Sequence, residues 1–449
     1  MNKSVKSSGR PLPRMEAIVD SLSTDGRGVF HVDHRAVFVS GGMPGDRILV
    51  ELDEKTKPPS ARLIERLLDS PYRIEHPCSH ARECAGSVWG CLSYSAQLIH
   101  KRELAVRTLR KAIGEVGVQP TVPSPLPWNY RSRITLTTWL ENNRLRIGYQ
   151  TESRQFSGIP IRNCMLGDET IGQCIGQLSE QFQDIEIPSK AHYPRRIQIH
   201  RTSCGAGLLL IFADIANDSA IREWSERLRD LKLPGGIWFA SGTQAGIIDY
   251  RKPLRSTPGS HGMTSIWLGH ELEINPSVFT QANAAAADLV HAKLKNMASE
   301  NKWRTVWDLY GGYGALGCAA AANGSALAVL ELTRNSESTM HALTRVAGVK
   351  EARFIEGDLI STLPRQIGEI TPDDLVILDP PRSGAHSEVI KAIGKSRMRD
   401  VYYLSCNPAR LGRDLVGLLQ AGFQIIEIEP CDFFPQTPRI EVLTRLHRD

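Results

Sequence analysis

The sequence predicts an α/β protein. It has a C-terminal doubly wound domain, an N-terminal small β-barrel of the OB-like kind, and a central α+β region. Three observations carry this. From about residue 300, "TVWDLYGGYGALG", "ALAVLEL", "ARFIEGD", "DLVILDPP" and "DVYYLSCN" are short apolar runs separated by helical or loop segments. Runs of that kind are parallel strands buried on both faces. Residues 14–70 instead alternate as short strands do, with turns at Asp25-Gly26, Gly28 and Pro44-Gly45. Residues 128–260 read as strand-rich, without internal repeats.

Taken in order, "MNKSVKSSGRPLPR" is basic and polar and lacks the apolar segment of a secretory signal. Residues 1–13 are expected as a disordered basic arm, and the protein as cytoplasmic. Residues 14–71 are expected to form the barrel, 72–265 the central domain and 266–449 the doubly wound domain. Within the central domain, 95–116 reads as an amphipathic helix with Ile99, Val106, Leu109 and Ile113 on one face and Lys101, Arg107 and Arg110 elsewhere. "FQIIEIEP" and "IEVLTRL" close the last sheet as an antiparallel hairpin.

Composition narrows the function. Hydrophobic residues make up 41% and charged residues 23% of the 449 positions. No apolar run reaches the roughly 18 residues of a membrane helix, so no membrane partner is expected. Net charge is +5, compatible with nucleic acid. In "WNYRSRITLTTWLENNRLRIGYQTESRQFSGIPIRNC", Arg131, Arg133, Arg144, Arg146, Arg154 and Arg162 stand among Trp128, Tyr130, Trp139 and Tyr149. Cations pair with phosphates and exposed rings stack on bases. The alternative is a solvated sheet face with ordinary aromatics. The nine cysteines argue for metal ligation or chemistry rather than disulfides in a cytosolic chain.

The unusual residues fall at the carboxyl ends of the predicted parallel strands, where ligands of open α/β sheets bind. Strand one ends in Gly312-Tyr313-Gly314-Ala315-Leu316-Gly317, strand two at Glu331, strand three at Asp358, strand four at Asp379-Pro380-Pro381 and strand five at Cys406. A glycine loop followed about 20 residues later by an acid suits a nucleotide's ribose. NAD and S-adenosylmethionine both satisfy it. A dehydrogenase has no use for "DPPR" or for the cysteine. Cys406 precedes a helix starting near Ala409, with Arg410 and Arg413 nearby in sequence, a setting expected to lower a thiol's pKa and make it a nucleophile.

At this point the residues resemble a family, the RNA uracil-C5 methyltransferases that make 5-methyluridine in ribosomal and transfer RNA. "LSCNPARLGRDL" is similar to its nucleophile motif, and "DPPRSG" and "FFPQTPRIEVLTRL" to two others; "NPSVFTQAN" resembles its cofactor segment. "DGRGVF" and "PGDRILVEL" resemble its RNA-binding TRAM barrel. The resemblance implies a Rossmann-like domain in which Gln281, Tyr310, Gly312, Glu331, Asp358 and Asp379 bind S-adenosylmethionine. It implies Cys406 as nucleophile and Glu441 as the base that removes the C5 proton. "CSHARECAGSVWGCLSYSAQL" resembles the iron–sulfur segment of the ribosomal branch, but Ser87 stands at the usual third cysteine and Cys91 lies four residues on. Cys78, Cys84, Cys91 and Cys164 would hold a [4Fe–4S] cluster, or zinc. The implied partner is RNA, 23S ribosomal RNA ahead of transfer RNA, and the implied state a monomer. The chain departs from the family at Arg439, where a histidine is usual, and over 334–350. Two rivals remain: an NAD-dependent oxidoreductase and a non-catalytic RNA-binding assembly protein.

Overall fold

The computed structural model describes residues 12–150, 158–183, 185–187, 193–213, 218–231, 233–250, 252–257 and 262–449. Two compact units result. Unit one holds the described residues up to Arg107 together with Phe434–Arg439, and unit two holds Thr108–Phe433 and Ile440–Asp449. No helix among the described residues is long and apolar enough to cross a membrane.

Unit one begins with β1 (Arg14–Ile18), β2 (Ser21–Leu22), β3 (Gly28–Val32), β4 (Arg35–Val39), β5 (Arg47–Asp53) and β6 (Ser60–Leu68), in the order β1-β5-β6-β4-β3-β2. Only Val19 and Asp20 separate the two edge strands, and their N–H groups bond Asp46 O at 3.0 Å and Val29 O at 2.8 Å. The edges are therefore one bent strand, and the sheet curls closed, leaving few unpaired backbone groups. Alternation places Val37, Val39, Ile48, Val50 and Leu52 inside with Val19 and Phe30.

Helix α1 (Tyr94–Ile113) follows a non-helical segment and stops where Gly114 takes φ +78°. Its buried face differs from the expected one. Ala96, Gln97, Lys101, Leu104, Ala105 and Leu109 are buried, whereas Ile99 is 55% exposed. The reason is that this face covers main-chain carbonyls as well as apolar side chains: the Lys101 ammonium donates to Phe434 O at 2.9 Å.

Unit two contains a first sheet of β7 (Arg133–Glu141), β8 (Arg144–Gln150), β9 (Gly158–Pro160), β10 (Pro194–Thr202), β11 (Gly205–Phe212), β12 (Ile237–Ser241) and β13 (Arg255–Ser256), ordered β13-β12-β11-β10-β7-β8-β9. Helices α2 (Glu169–Gln183) and α3 (Asp218–Arg227) belong to it, and Phe182 and Trp224 meet edge-on at 5.9 Å. The hairpin β14 (Met263–Trp267), β15 (His270–Ile274) and helix α4 (Ala284–Glu300) lead into the second sheet.

That sheet is built from β16 (Thr305–Leu309), β17 (Ala326–Glu331), β18 (Ala352–Glu356), β19 (Leu375–Leu378), β20 (Asp400–Ser405), β21 (Gln424–Cys431) and β22 (Glu441–His447). Helices α5 (Ala315–Ala321), α6 (Glu337–Ala347), α7 (Leu359–Gln366), α8 (Ser387–Lys395) and α9 (Pro408–Gln420) connect its strands. Their order is β18-β17-β16-β19-β20-β22-β21, the first five parallel and β22 antiparallel to both neighbours. Every residue of β16 and β19 is buried, as continuous apolar runs predicted. The closing hairpin exists, with its second strand inserted beside β20.

Candidate active site

The carboxyl ends of β16 to β20 converge on one edge. After β16 the chain turns through Tyr310 (φ +58°), Gly312 (φ +56°) and Gly314 (φ +79°) into α5. Beneath the loop lies Asp308, buried in β16. Its Oδ2 accepts the Gly317 N–H at 2.9 Å, while its Oδ1 has no partner. A Cβ on Gly317 would stand 2.6 Å from Leu327 Cδ1 and 2.8 Å from Asp308 Oδ2, so only glycine fits there. Burial pushes the Asp308 carboxyl up to about 7. Asp308 was not among the residues expected at the site, although an acid inside the otherwise apolar run "TVWDLY" is a visible signal.

Glu331, at the end of β17, is tied to the same loop. Its Oε2 accepts the Gly312 N–H at 3.1 Å and its Oε1 the Thr333 N–H at 3.3 Å. Asp358 is exposed and caps α7, accepting the Ile360 N–H at 2.9 Å. The Tyr310 hydroxyl accepts the His386 N–H at 3.2 Å. Asp379 follows β19 and is pushed up to about 7 by burial and then by Asp308.

Cys406 follows β20, and α9 starts one residue earlier than expected, at Pro408. Asn407 caps it, accepting the N–H groups of Ala409 and Arg410 at 3.2 and 3.4 Å. Its amide also donates to Arg382 O at 3.0 Å, which joins the cysteine loop to the "DPPR" loop. The last β20–β22 pair is Ser405 with Val442. One step further along this antiparallel pair stand Cys406 and Glu441. Glu441 is 3% exposed, and its Oε2 has no hydrogen-bond partner. Burial, then Asp379, raises its carboxyl well above the ordinary range, with Arg382 opposing.

The expectation of a depressed Cys406 pKa is corrected here. Burial, then Glu441 and Asp379, push the thiol up to about 11, and Arg382 alone among nearby cations pulls the other way. Arg413 does not help because it is committed to Asp414 Oδ1 at 2.7 Å and Ala385 O at 2.8 Å.

Gln281 lies just before α4, where its carbonyl accepts the Ser132 hydroxyl at 3.4 Å. Asn283, fully buried, caps α4 through Ala286 N–H at 3.0 Å and donates to Ser124 Oγ at 2.9 Å and Phe433 O at 3.2 Å. The atypical region 334–350 supports this segment: Asn335 donates to Ser277 Oγ at 3.4 Å, and Thr339 Oγ1 accepts the Asn275 N–H at 3.0 Å. Arg133 lies 5.0 Å from the ring centroid of Phe279, which is 62% exposed. The proposed stacking surface is revised. Tyr130 and Trp139 are core residues at 4% and 8% exposure, and Arg154 lies outside the described residues.

The cysteines divide between the units, with Cys78, Cys84 and Cys91 in unit one and Cys164 in unit two. Cys84 Sγ accepts the Gly86 N–H at 3.3 Å, and Cys164 Sγ the Tyr149 hydroxyl at 3.3 Å. Cys91 packs against the apolar cluster of Leu22, Met43, Trp89, Leu92, Ala96 and Leu104. Ser87, at the usual ligand position, is buried with its hydroxyl 3.3 Å from His76 Nε2. Among the described residues no three His, Cys, Asp or Glu side chains gather into a metal-binding group.

Residues 368–449, spanning "DPPRSG", Cys406 and Glu441, match the tRNA (Uracil-5-)-methyltransferase family. An RNA methyltransferase of Clostridium tetani, named as uncharacterized, is 24% identical over 96% of this chain and 97% of its own. A similarly named protein of Gloeobacter violaceus is 27% identical over 96% and 95%. The fold is similar to that of the Pyrococcus abyssi tRNA (uracil-54, C5)-methyltransferase solved with S-adenosyl-L-homocysteine, with a TM-score of 0.72 and 20% identity over 96% of this chain and 100% of that one. The chain is thus similar over residues 368–449 to the tRNA (Uracil-5-)-methyltransferases, and along almost its whole length to proteins named as RNA methyltransferases.

Proposed function

We propose that this enzyme transfers the methyl group of S-adenosylmethionine to C5 of a uridine in RNA, with Cys406 as nucleophile and Glu441 as base. The observation that carries the reading is the register of β20 and β22, which sets a thiol beside a buried carboxylate whose Oε2 is unpartnered. C5 of uracil is a weak nucleophile. Addition of the Cys406 sulfur to C6 sends the ring's electron pair toward O4, and the resulting enolate makes C5 reactive. S-adenosylmethionine supplies the methyl group, and the electron pair of the broken S–CH3 bond stays on its sulfur. Glu441 then takes the C5 proton, the C5–C6 double bond re-forms, and the C6–S pair returns to Cys406.

Gln281, Tyr310, Gly312, Glu331, Asp358 and Asp379 would hold the cofactor. The loop at Gly312 leaves open space beside its Cα, and Glu331 stands there as an acceptor for ribose hydroxyls. Asp379 and Glu441 would ionise more readily beside a sulfonium cation, which leaves Glu441 able to take a proton and offsets the charge that opposes the Cys406 thiolate. The target base must leave its stack to reach this edge.

The finer target is 23S ribosomal RNA, supported by the TRAM-like barrel and the cysteine segment. Transfer RNA is the second reading, supported by the description of the matching family. Mapping 5-methyluridine in both RNAs from a deletion strain separates the two. A [4Fe–4S] cluster or zinc on Cys78, Cys84, Cys91 and Cys164 is a separate proposal that the methyl transfer does not use.

The mechanism is tested by two variants. Cys406→Ala should lose at least about a thousandfold in turnover while binding S-adenosylmethionine as before. Glu441→Gln should instead trap a denaturation-resistant RNA adduct. An active Cys406→Ala enzyme would overturn the reading.

A further inference from the structure

We infer that Gln97 and Gln436 are positioning residues for the Glu441 carboxylate, an inference that rests on the mechanism above and deepens it. Glu441 opens β22 directly opposite Cys431, so the loop between them governs how firmly its backbone is held. Six residues of that loop, Phe434–Arg439, pack within unit one. There they meet the α1 face that the sequence pattern misread.

Gln97 is fully buried. Its side-chain carbonyl accepts the Gln436 N–H at 2.9 Å, and its amide donates to Gln436 Oε1 at 2.8 Å, a reciprocal pair. The same amide reaches Leu92 O at 2.8 Å and Trp89 O at 3.1 Å. Trp89 in turn donates its N–H to Gln436 O at 3.0 Å. Gln436 is held at φ +68°, a backbone region that side-chain-bearing residues enter only when neighbours over-determine it. One turn along α1, the fully buried Lys101 donates to Phe434 O at 2.9 Å, and the Thr437 hydroxyl donates to the same carbonyl at 2.8 Å.

A glutamine and a lysine on a packing face stabilise less than leucine unless every polar atom is matched. Here the partners are Gln436 and Phe434 of the loop and the 89–92 segment, which itself donates to Gln436 O, and the part of the loop within unit one ends two residues before Glu441. The carboxylate Oε2 has no hydrogen bond of its own to aim it, so its direction is inherited from the backbone. Loosening the clamp should therefore spare addition of Cys406 and methyl transfer. It should slow the step in which the C5–H pair forms the C5–C6 double bond and the C6–S bond breaks with its pair leaving on sulfur.

The experiment compares Gln97→Leu, Gln436→Gly and Glu441→Gln in the full chain, with S-adenosylmethionine and total RNA from cells lacking the enzyme. Glycine adopts the Gln436 backbone conformation freely, so that variant removes only the side-chain link. Turnover, denaturation-resistant RNA adduct per folded molecule and cofactor affinity are read together. Gln97→Leu should lose about tenfold in turnover while adduct rises and cofactor affinity holds, with Gln436→Gly moving the same way by less. Wild-type behaviour, or turnover and adduct falling in proportion in both variants, overturns the inference. If those results come while Glu441→Gln does trap adduct, only the clamp is wrong; if Glu441→Gln traps none, the assigned base fails and the inference falls with it.

Discussion

The strand-end edge of unit two and the cysteine-bearing segment of unit one are both dense in reactive side chains, and they behave oppositely. On the edge, residues far apart in sequence are brought together by topology: charge on Asp308 bears on Asp379, charge on Asp379 bears on Glu441, and both Glu441 and Asp379 bear on the Cys406 thiol. In the segment, residues close in sequence are turned to separate partners. Ser87 faces His76, Cys84 faces Gly86 N–H, and Cys91 packs on apolar neighbours. Parallel strands point their ends one way whatever the loops do, whereas ligand spacing in a loop says nothing of where the loop turns.

The comparison can be broken most easily on the edge. With its thiol held at about 11, Cys406 is almost wholly protonated near neutrality. Each pH unit should raise the thiolate fraction about tenfold, so kcat/KM for RNA should climb about a hundredfold from pH 6.5 to 8.5. A profile level across that range would show that burial and the neighbouring carboxylates do not hold the thiol up. Glu331→Ala should weaken S-adenosylmethionine binding by about 1–3 kcal/mol, or roughly 5- to 150-fold, measured by calorimetry. An unchanged Kd would remove strand two from the site. In the wild type the same affinity should strengthen as pH rises through 7, because Asp379 ionises there and its anion attracts the sulfonium.

The segment offers the smaller test. Ser87→Ala should cost about 1 kcal/mol, the net worth of one buried hydrogen bond, read by denaturant unfolding, with bound metal unaltered. Anaerobic protein carrying about four irons per chain that Cys91→Ser loses would show that the segment regroups around a metal. Such a result would erase the contrast with the edge.

What was legible follows the same division. Strand ends were readable because Asp379 and Cys406 interrupt apolar runs at a fixed place. Asp308 was readable in principle, as an acid where burial demands apolar residues. The Cys406 pKa was not. Arg410 and Arg413 are near in sequence, but Arg413 is spent on Asp414, while the groups that act on the thiol come from other strands. The α1 face was misread because helical periodicity counts apolar residues, and this helix buries Gln97 and Lys101 against main-chain carbonyls of a loop more than 300 residues away.

The place of β22 has a consequence for biosynthesis. It is the latest strand in chain order, yet it lies inside the sheet between β20 and β21. During translation β20 and β21 are made first and have no shared neighbour until 441–447 emerges. Cys406 is therefore synthesised 35 residues before Glu441, and β20 and β21 gain the strand between them only with that carboxylate. On the proposed mechanism, a chain whose parallel strands alone had formed would still lack the group that takes the C5 proton. Cutting the chain before Glu441 would remove that carboxylate and β22 at one stroke.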